Sequence, residues 1–460
     1  MSNKYDSYKD SGVEWIGDIP NHWHVKRLKN IGSLYSGLSG KSGSDFEKVP
    51  TENFKPFINF TNIANNKYIV GDNFGFVKID ENENQNQVKK NDLFFLMSSE
   101  NQEDVGKSAL LLNDYDELYL NSFCKGFRLT INSDARFINY LLSSSALSQL
   151  ISLEGRGFTR INLRMEGVEN LPIILPQSIE EQTTIANYLD HKTTQIDHLI
   201  AKKVQFIQLL EEERVAVINQ AVTKGLDNSV HMKDSGIEWL GEIPEHWEVK
   251  KLKLLANIQG RIGFKGYTVG DLVSEGEGAL TLGAKHIDKF NKLNLSNPEF
   301  ISWDKYYESP EIMVQIGDII LTQRGTLGKV VLITEDIGKA TINPSMVILS
   351  NLKANDYFLY YFFNSDYFKS WIDLTNTATA VPMISQGQLG NLKLVLPNND
   401  EQKHIARSIQ KSTKKIDDII VKAQQEIDLL KEYKTALISE VVTGKVDVST
   451  SSTQVLETKN

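Results

Sequence analysis

Arginines occur at four-residue steps in segment 155–164, at Arg156, Arg160 and Arg164, with Gly, Thr and Asn residues between them. A second segment, 375–388, has no arginine but is rich in hydroxyl and amide side chains. A guanidinium group reads guanine through two hydrogen bonds, whereas Asn and Gln side chains read adenine. The two segments would therefore suit contacts with two different base sequences.

Further polar positions can be compared in pairs: 62–67 with 285–286, and 98–100 with 322–324. For any one position an ordinary solvated loop is the simpler interpretation, but paired sets at matching places favour recognition. The candidate DNA-contacting residues are Asn62, Asn65, Lys67, Ser98, Ser99, Arg156, Thr159, Arg160, Asn162, Arg164, Lys285, His286, Thr322, Gln323, Arg324, Thr377, Thr379 and Gln386.

Catalytic motifs are present only as incomplete matches. The segment 106–108 resembles the end of a phosphate-binding loop, but Asn101 stands where the loop requires glycine. The segment 325–329 is one residue short of the same motif, and 297–300 lacks the second proline of an amino-methyltransferase tetrad. The eight histidines do not form a metal-ligand spacing. The sequence predicts no catalytic residue, no metal and no cofactor bound by this chain.

Two long helices are predicted to position these segments. Residues 180–224 contain no Pro or Gly and have apolar side chains at helical spacing, and Ser178 with Glu181 suggests a capping box. Residues 399–443 form a second such run, which aligns with the first at an offset of 220. A lone helix of this kind would be a solvated helix or a homodimer zipper, but two copies in one chain favour an intramolecular pair.

The segments before the helices are also duplicated. Residues 9–29 and 233–253 are identical at 15 of 21 positions. The regions between opening segment and helix contain short β-type runs and one predicted helix each, 135–152 and 355–374, which indicates α+β globules with a curved antiparallel sheet. Their shared positions pair Asp92 with Asp318 and Asn121 with Asn343, while the intervening loops differ.

The order globule, helix, globule, helix has a geometric consequence. If each globule meets its helix in the same way, a pseudo-twofold axis relates the two copies. The predicted fold class is therefore α+β, with two pseudo-twofold-related globular domains joined by two long antiparallel, coiled-coil-like helices. The globules are expected at opposite ends of the helical pair.

Composition limits the function further. The chain has 460 residues, a net charge of −9 and one cysteine, Cys124, which fits a reducing cytoplasm and a small core residue. Its first residues lack a signal-peptide core, and no run of 18 apolar residues occurs, so a cytoplasmic protein is expected. The segments 1–178, 179–226, 227–398 and 399–460 carry −3, −2, −4 and 0 charges, which argues against nonspecific nucleic-acid binding.

The duplicated motifs resemble those of a known family. The paired openings SGVEWIGDIPNHWHVKRLK and SGIEWLGEIPEHWEVKKLK, and Leu-Pro followed by EEQTTIANYLD and DEQKHIARSIQ, resemble the specificity (S) subunit of type I restriction-modification enzymes. The resemblance implies target-recognition domains at 1–178 and 227–398 and spacer helices at 179–226 and 399–445. The Ser/Thr-rich composition of residues 446–460 predicts a disordered tail.

The resemblance also implies partners. These are double-stranded DNA, two methyltransferase (modification) subunits and two restriction subunits, with S-adenosylmethionine, ATP and Mg on the partners. Because the globules differ, a bipartite asymmetric DNA target is expected, and the helices should fix the unread gap at about one DNA turn. Two alternatives stay open: a protein-interaction scaffold that binds no DNA, and a self-contained methyltransferase or nuclease.

Overall fold

The computed structural model describes residues 4–47, 53–71, 73–80, 82–102, 104–157, 159–261, 266–376 and 381–449. The chain divides into two compact units. Unit 1 comprises residues 1–202 and the chain from 425 onward, and unit 2 comprises residues 203–424. Each unit therefore contains one globule together with part of both long helices.

Unit 1 contains the first set of strands and helices. Its strands are β1 (Tyr8–Asp10), β2 (Asp18–Pro20), β3 (His24–Arg27), β4 (Gly32–Ser36), β5 (Phe46–Glu47), β6 (Phe54–Ile58), β7 (Tyr68–Ile69), β8 (Gly75–Lys78), β9 (Leu93–Leu96), β10 (Ser98–Ser99), β11 (Ser108–Leu111), β12 (Tyr119–Leu120), β13 (Cys124–Leu129), β14 (Gly155–Arg156), β15 (Ile161–Leu163) and β16 (Pro172–Leu175). Its helices are α1 (Phe60–Asn65), α2 (Ala135–Leu142), α3 (Ser145–Leu153), α4 (Met165–Glu169) and the first part of α5 (Ile179–Lys224).

Unit 2 repeats this order with fewer strands in the part of the chain described. Its strands are β17 (Met232–Asp234), β18 (Glu242–Pro244), β19 (Glu248–Lys251), β20 (Asn257–Gly260), β21 (Leu272–Val273), β22 (Gly278–Leu282), β23 (Phe300–Ser302), β24 (Ile319–Thr322), β25 (Val330–Leu332), β26 (Ala340–Ile342), β27 (Met346–Ser350) and β28 (Lys393–Leu396). Its helices are α6 (Trp303–Tyr307), α7 (Asp356–Phe363), α8 (Asp366–Thr375), α9 (Gln386–Asn391) and the first part of α10 (Asn399–Val442).

The sheets of both units are mixed, although antiparallel pairs predominate. Unit 1 has a five-stranded sheet β4-β13-β9-β11-β7 and a four-stranded sheet β12-β6-β8-β5. The pairs β11–β7 and β12–β6 are parallel, as is β22–β26 in unit 2. The predicted α+β class is confirmed, but the expected purely antiparallel sheet is corrected by these parallel pairs.

The single helix predicted in each globule is two helices. In unit 1, α2 ends at Leu142 and α3 begins at Ser145, and in unit 2 the break falls between α7 and α8. The hydroxyl groups of Ser144 and Ser365 donate to backbone carbonyls three residues earlier, 2.7 Å and 2.6 Å away. Serine side chains of this kind compete with helical backbone bonds and favour turns, which explains the breaks.

The two long helices have nearly the predicted bounds and pack antiparallel within each unit. In unit 1, Asp197 in the first half of α5 accepts hydrogen bonds from Lys434 in the second half of α10, at 2.7 Å. In unit 2, Arg214 in the second half of α5 donates to Asp417 in the first half of α10, at 3.1 Å. Helices whose early and late residues meet in this way must run in opposite directions.

The segment after α10 contributes to the core of unit 1. Val448 is buried and Val446 is half-buried against the same apolar cluster, which contains Trp23 and Val441. Val446 and Val448, which belong to the predicted tail 446–460, thus pack in this core, and residues 450–460 lie outside the described residues. Within the described ranges, no helix is long and apolar enough to cross a membrane.

Candidate nucleic-acid interface

Each unit fixes its opening segment to the first turn of a long helix through one glutamate. In unit 1 the indole of Trp23 donates to Glu181 at 2.9 Å, and His22 contacts the other oxygen of this carboxylate at 2.9 Å. In unit 2, Trp247 and His246 contact Glu401 at 3.0 and 2.8 Å. We call these two sets of contacts the anchors.

The anchors correct the expected capping box. The hydroxyl of Ser178 accepts from the backbone N–H of Glu181 at 3.3 Å, which is one half of the box. The carboxylate of Glu181 instead turns to Trp23, so the reciprocal half is replaced by a long-range contact. The histidine beside each tryptophan contacts the same carboxylate, so one glutamate holds both rings.

A short ladder of backbone hydrogen bonds builds the candidate interface of unit 1. The N–H of Met97 donates to the carbonyl of Phe123 at 3.2 Å, and the N–H of Leu163 donates to the carbonyl of Met97 at 2.8 Å. Strand β15 then pairs with β10 on one side and β14 on the other. We call residues 97–99, 121–123 and 159–164 the recognition edge of unit 1.

The same ladder recurs in unit 2. The N–H of Gln323 donates to the carbonyl of Ser345 at 2.8 Å, and the N–H of Ile384 donates to the carbonyl of Gln323 at 2.9 Å. Arg324 also forms a β-bridge with Met383. We call residues 323–325, 343–345 and 381–385 the recognition edge of unit 2.

The two ladders fix which residues are equivalent. Met97 corresponds to Gln323, and Phe123 corresponds to Ser345. Ser98, which pairs with Asn162, therefore corresponds to Arg324, which bridges Met383. The sequence comparison had placed Ser98 opposite Thr322, so the structure corrects that pairing by two residues.

The three arginines of segment 155–164 have different surroundings. Arg156 donates to the carbonyls of Leu153 and Gly155 at 2.6 and 2.8 Å, and so closes the end of α3. Arg164 pairs with Glu154 at 2.9 Å. Arg160 is exposed, with its guanidinium carbon 5.3 Å from the centre of the Phe123 ring. Thr159 and Asn162 are exposed beside it.

The other candidates at the edges are partly occupied by internal contacts. Ser98 and Ser99 are buried, and Ser99 accepts from the N–H of Asn101 at 3.1 Å. Thr322 is buried and accepts from the N–H of Lys329 at 3.0 Å. Gln323 donates to the carbonyl of Met346 at 3.2 Å. Among these positions only Arg324 is exposed.

The remaining candidate DNA-contacting residues follow α8 and are Thr377, Thr379 and Gln386. The Gln386 amide lies against β20, where one orientation donates to the carbonyl of Ile258 at 3.3 Å and accepts from the N–H of Gly260 at 3.1 Å. Its side chain is nevertheless exposed. Thr377 and Thr379 lie outside the described residues.

In the paired segments 62–67 and 285–286, Asn62 and His286 direct their side chains into the globules. The buried amide of Asn62 accepts from the N–H of Asn59 and donates to the carbonyl of Asn73, at 2.9 and 3.1 Å, while Asn65 is exposed. His286 is buried, accepts from the N–H of Gly283 at 2.9 Å, and lies 3.1 Å from the carbonyl of Asn297; burial lowers its pKa.

The lysines of these two segments, Lys67 and Lys285, each have a carboxylate partner. Lys285 pairs with Glu299 at 2.6 Å and remains exposed. Lys67 donates to Asp190 of α5 at 2.9 Å, over the ring of Tyr140, and burial lowers its pKa to about 8 although Asp190 opposes this effect. The structure gives Asn62, Lys67 and His286 roles inside the globules, so we do not assign base contacts to them.

Phe123 and Met383 are edge residues that the sequence comparison missed. Phe123 is 53% exposed and Met383 is 44% exposed, although both side chains are large and apolar. The available signal was an aromatic residue two positions after Asn121, where the other half has Ser345. In the described ranges no group of three or more His, Cys, Asp or Glu residues could hold a metal ion.

Two copies of one scaffold, each ending in an edge with its own exposed side chains, define a duplicated recognition protein. Similar folds are known. A chain from a structure on complex assembly and conformational transition of the type I R-M system gives a TM-score of 0.70 at 14% identity, covering 92% of this chain and 98% of that one. The HsdS subunit from Thermoanaerobacter tengcongensis gives a TM-score of 0.54 at 15% identity, covering 93% and 98%.

Sequence comparison identifies the family. The MjaVIII specificity subunit of Methanocaldococcus jannaschii, a type I restriction enzyme subunit, is 27% identical over 448 residues, which cover 94% of each chain. Residues 20–207 and 284–429, nearly three quarters of this chain, match the Type I restriction modification DNA specificity domain. The chain therefore belongs to the type I restriction-modification specificity-subunit family and is a DNA target-recognition subunit.

Proposed function

We propose that each unit reads one half of a bipartite, asymmetric DNA target, and that the chain itself catalyses no reaction. The observation that carries this proposal is the pair of recognition edges. The two backbone hydrogen bonds that define each ladder are equivalent in the two units, while the side chains that the edges present differ. Two unlike edges on one scaffold would contact two unlike base sequences.

Modification and restriction subunits are the proposed partners. The relatives are specificity subunits of type I restriction enzymes, and no edge residue described above has the arrangement of a nucleophile and base. The two modification and two restriction subunits would accordingly bind S-adenosylmethionine, ATP and Mg. The net charge of −9 supports this division, because phosphate neutralisation would require basic surface from the partners.

Mapping of methylated adenines tests the proposal. A host that contains this chain and its cognate modification subunit should methylate a two-part motif with an unread gap, and deletion of this chain should abolish that methylation. Methylation that persists without the chain, or falls in one uninterrupted motif, would contradict the proposal.

A scaffold that binds no DNA is the second candidate, and a separate measurement distinguishes it. The purified complex of this chain with its modification subunit should retain duplex DNA with an affinity that falls steeply as salt rises. A complex that assembles fully but retains no DNA at low salt would support the scaffold and contradict target recognition.

A further inference from the structure

Each recognition edge contains one arginine whose guanidinium group is not paired with a carboxylate of the described residues. Arg156 is held by backbone carbonyls and Arg164 by Glu154. Among the residues that the structure describes, Arg160 and Arg324 have no carboxylate oxygen within 4.0 Å, and both are exposed. Each edge thus offers one guanidinium group that is available to an external acceptor.

Each of these guanidinium groups lies beside an exposed apolar side chain. Arg160 faces the ring of Phe123, and Arg324 lies 3.3 Å from the sulfur of Met383. Val381, next to Met383 in the same edge, is 55% exposed. Exposed large apolar side chains that cluster beside a charged group are typical of binding surfaces rather than of inert loops.

The backbone around Phe123 is fixed although its ring is in solvent. Its N–H donates to the side-chain oxygen of Asn121 at 2.8 Å, and its carbonyl accepts from Met97 at 3.2 Å. The backbone that carries the ring is therefore held in place before any ligand binds, which reduces the entropy lost on binding. Its contact with Arg160 also restrains the guanidinium fork.

The chemistry of these couples fits the major groove of DNA. A guanidinium group donates two hydrogen bonds to O6 and N7 of guanine, and an apolar side chain contacts the methyl group of thymine. We propose that Arg160 with Phe123, and Arg324 with Met383, are the base-contacting couples, each reading a guanine and a neighbouring thymine. This inference rests on the proposed function, because it names the bases that the two edges read.

The two couples are built differently on equivalent ladders. In unit 1 the guanidinium comes from the residue before β15 and the apolar group from the turn before β13. In unit 2 the guanidinium comes from Arg324, two residues after β24, and the apolar group comes from Met383, which forms an isolated β-bridge with it. A guanine and a thymine would consequently occupy different relative positions in the two half-sites, which makes the target asymmetric.

Modified bases test the contacts directly in the complex with the modification subunit. Arg160→Gln should lose roughly 5- to 150-fold of discrimination at one guanine of one half-site. Replacing that guanine by 7-deazaguanine, which lacks N7, should weaken the wild type but leave Arg160→Gln unchanged. Replacing thymine by uracil, which lacks the methyl group, should weaken the wild type but not Phe123→Ala.

Unit 2 and a neighbouring arginine supply the matched comparisons. Arg324→Gln and Met383→Ala should give the same results in the other half-site only. Arg156→Gln removes an equal charge from the same segment but should keep the methylated motif of the wild type. Thermal unfolding of Arg160→Gln and Arg324→Gln should match the wild type, because both side chains are exposed.

Three outcomes would overturn the inference. One is an unchanged motif in both Arg160→Gln and Arg324→Gln. Another is a uniform loss of affinity for all sequences with a salt slope reduced by about one, which indicates a phosphate contact. A wild-type complex that retains no DNA would refute the proposed function itself and is recognised before any variant is measured.

Discussion

Unit 1 and unit 2 agree in their anchors and differ in their recognition edges. The indole-to-glutamate distances are 2.9 and 3.0 Å, and the histidine-to-glutamate distances are 2.9 and 2.8 Å. At the edges, Phe123 of one unit corresponds to Ser345 of the other, and Ser98 corresponds to Arg324. The contacts that hold each globule to a helix are the same in both copies, whereas the side chains at the two edges differ.

This difference separates stability from specificity within one chain. The anchors join residues that are more than 150 positions apart in sequence, so they stabilise the globule against its helix. The edges are held by backbone hydrogen bonds, which do not depend on the identity of the side chains. If the edges read DNA as proposed, a change at an edge should alter the target without loosening the scaffold, and a change at an anchor should do the reverse.

Removal of an anchor tryptophan should have the largest effect on stability. Trp23 and Trp247 are fully buried, each edge-to-face with a phenylalanine, so replacement by alanine should cost about 3–5 kcal/mol in either unit. Hydrogen exchange of the full chain should show the loss of protection in the mutated unit. Similar losses are expected for Trp23→Ala and Trp247→Ala, and a loss that differs strongly between them would contradict equivalent anchors.

Mutation of the ion pairs between α5 and α10 should have the next largest effect on stability. The size of this effect should differ between the two units. Asp417 is 16% exposed and accepts from both Arg214 and Lys292, whereas Asp197 is 56% exposed and accepts from Lys434. Asp417→Asn should lower the free energy of unfolding by about 2 kcal/mol, because charged hydrogen bonds are lost in a half-buried site. Asp197→Asn should cost less than about 1 kcal/mol. Equal costs in denaturant unfolding would refute this ranking.

Lys67 should give unit 1 a pH dependence of its own. In the folded chain burial lowers its pKa to about 8, while in the unfolded chain it keeps its ordinary value near 10.5. Between these values the unfolded state binds more protons, so the free energy of unfolding rises with pH. Below pH 8 the buried charge of Lys67 destabilises the folded chain. Relative to Lys67→Met, the wild type should gain on the order of 1 kcal/mol from pH 8 to 10.

The control for this prediction is Lys285→Met in unit 2. Lys285 is exposed and paired with Glu299, so Lys285→Met removes a lysine charge without altering a buried site. A constant difference between wild type and Lys67→Met across this pH range would show that Lys67 titrates as it does in the unfolded chain.

The long helices could be predicted from sequence almost to the residue. A run of 45 residues without Pro or Gly and with helical apolar spacing leaves few alternatives, and α5 and α10 begin within one residue of the predicted starts. Their antiparallel packing followed from duplication. The breaks at Ser144 and Ser365 were missed, because a serine that continues a helix and one that ends it look alike in sequence.

The recognition edges were harder to predict, for two physical reasons. Equivalent residues are set by backbone pairing, and Ser98 with Arg324 has the same offset of 226 as Asp92 with Asp318, whereas similarity of side chains favours Thr322. Burial depends on distant segments: Lys67 meets Asp190, 123 positions away, and no local pattern reveals that contact. Phe123 was overlooked because an aromatic residue in a turn is usually interpreted as core.

Exchange of one globule tests the division of reading between the units most directly. Residues 39–167 would be replaced by the corresponding segment of another specificity subunit, and methylated adenines would be mapped in a host with the modification subunit. We expect one half of the two-part motif to change and the other half to stay as in the wild type. A motif in which both halves change, or in which neither does, would contradict separate reading by two units.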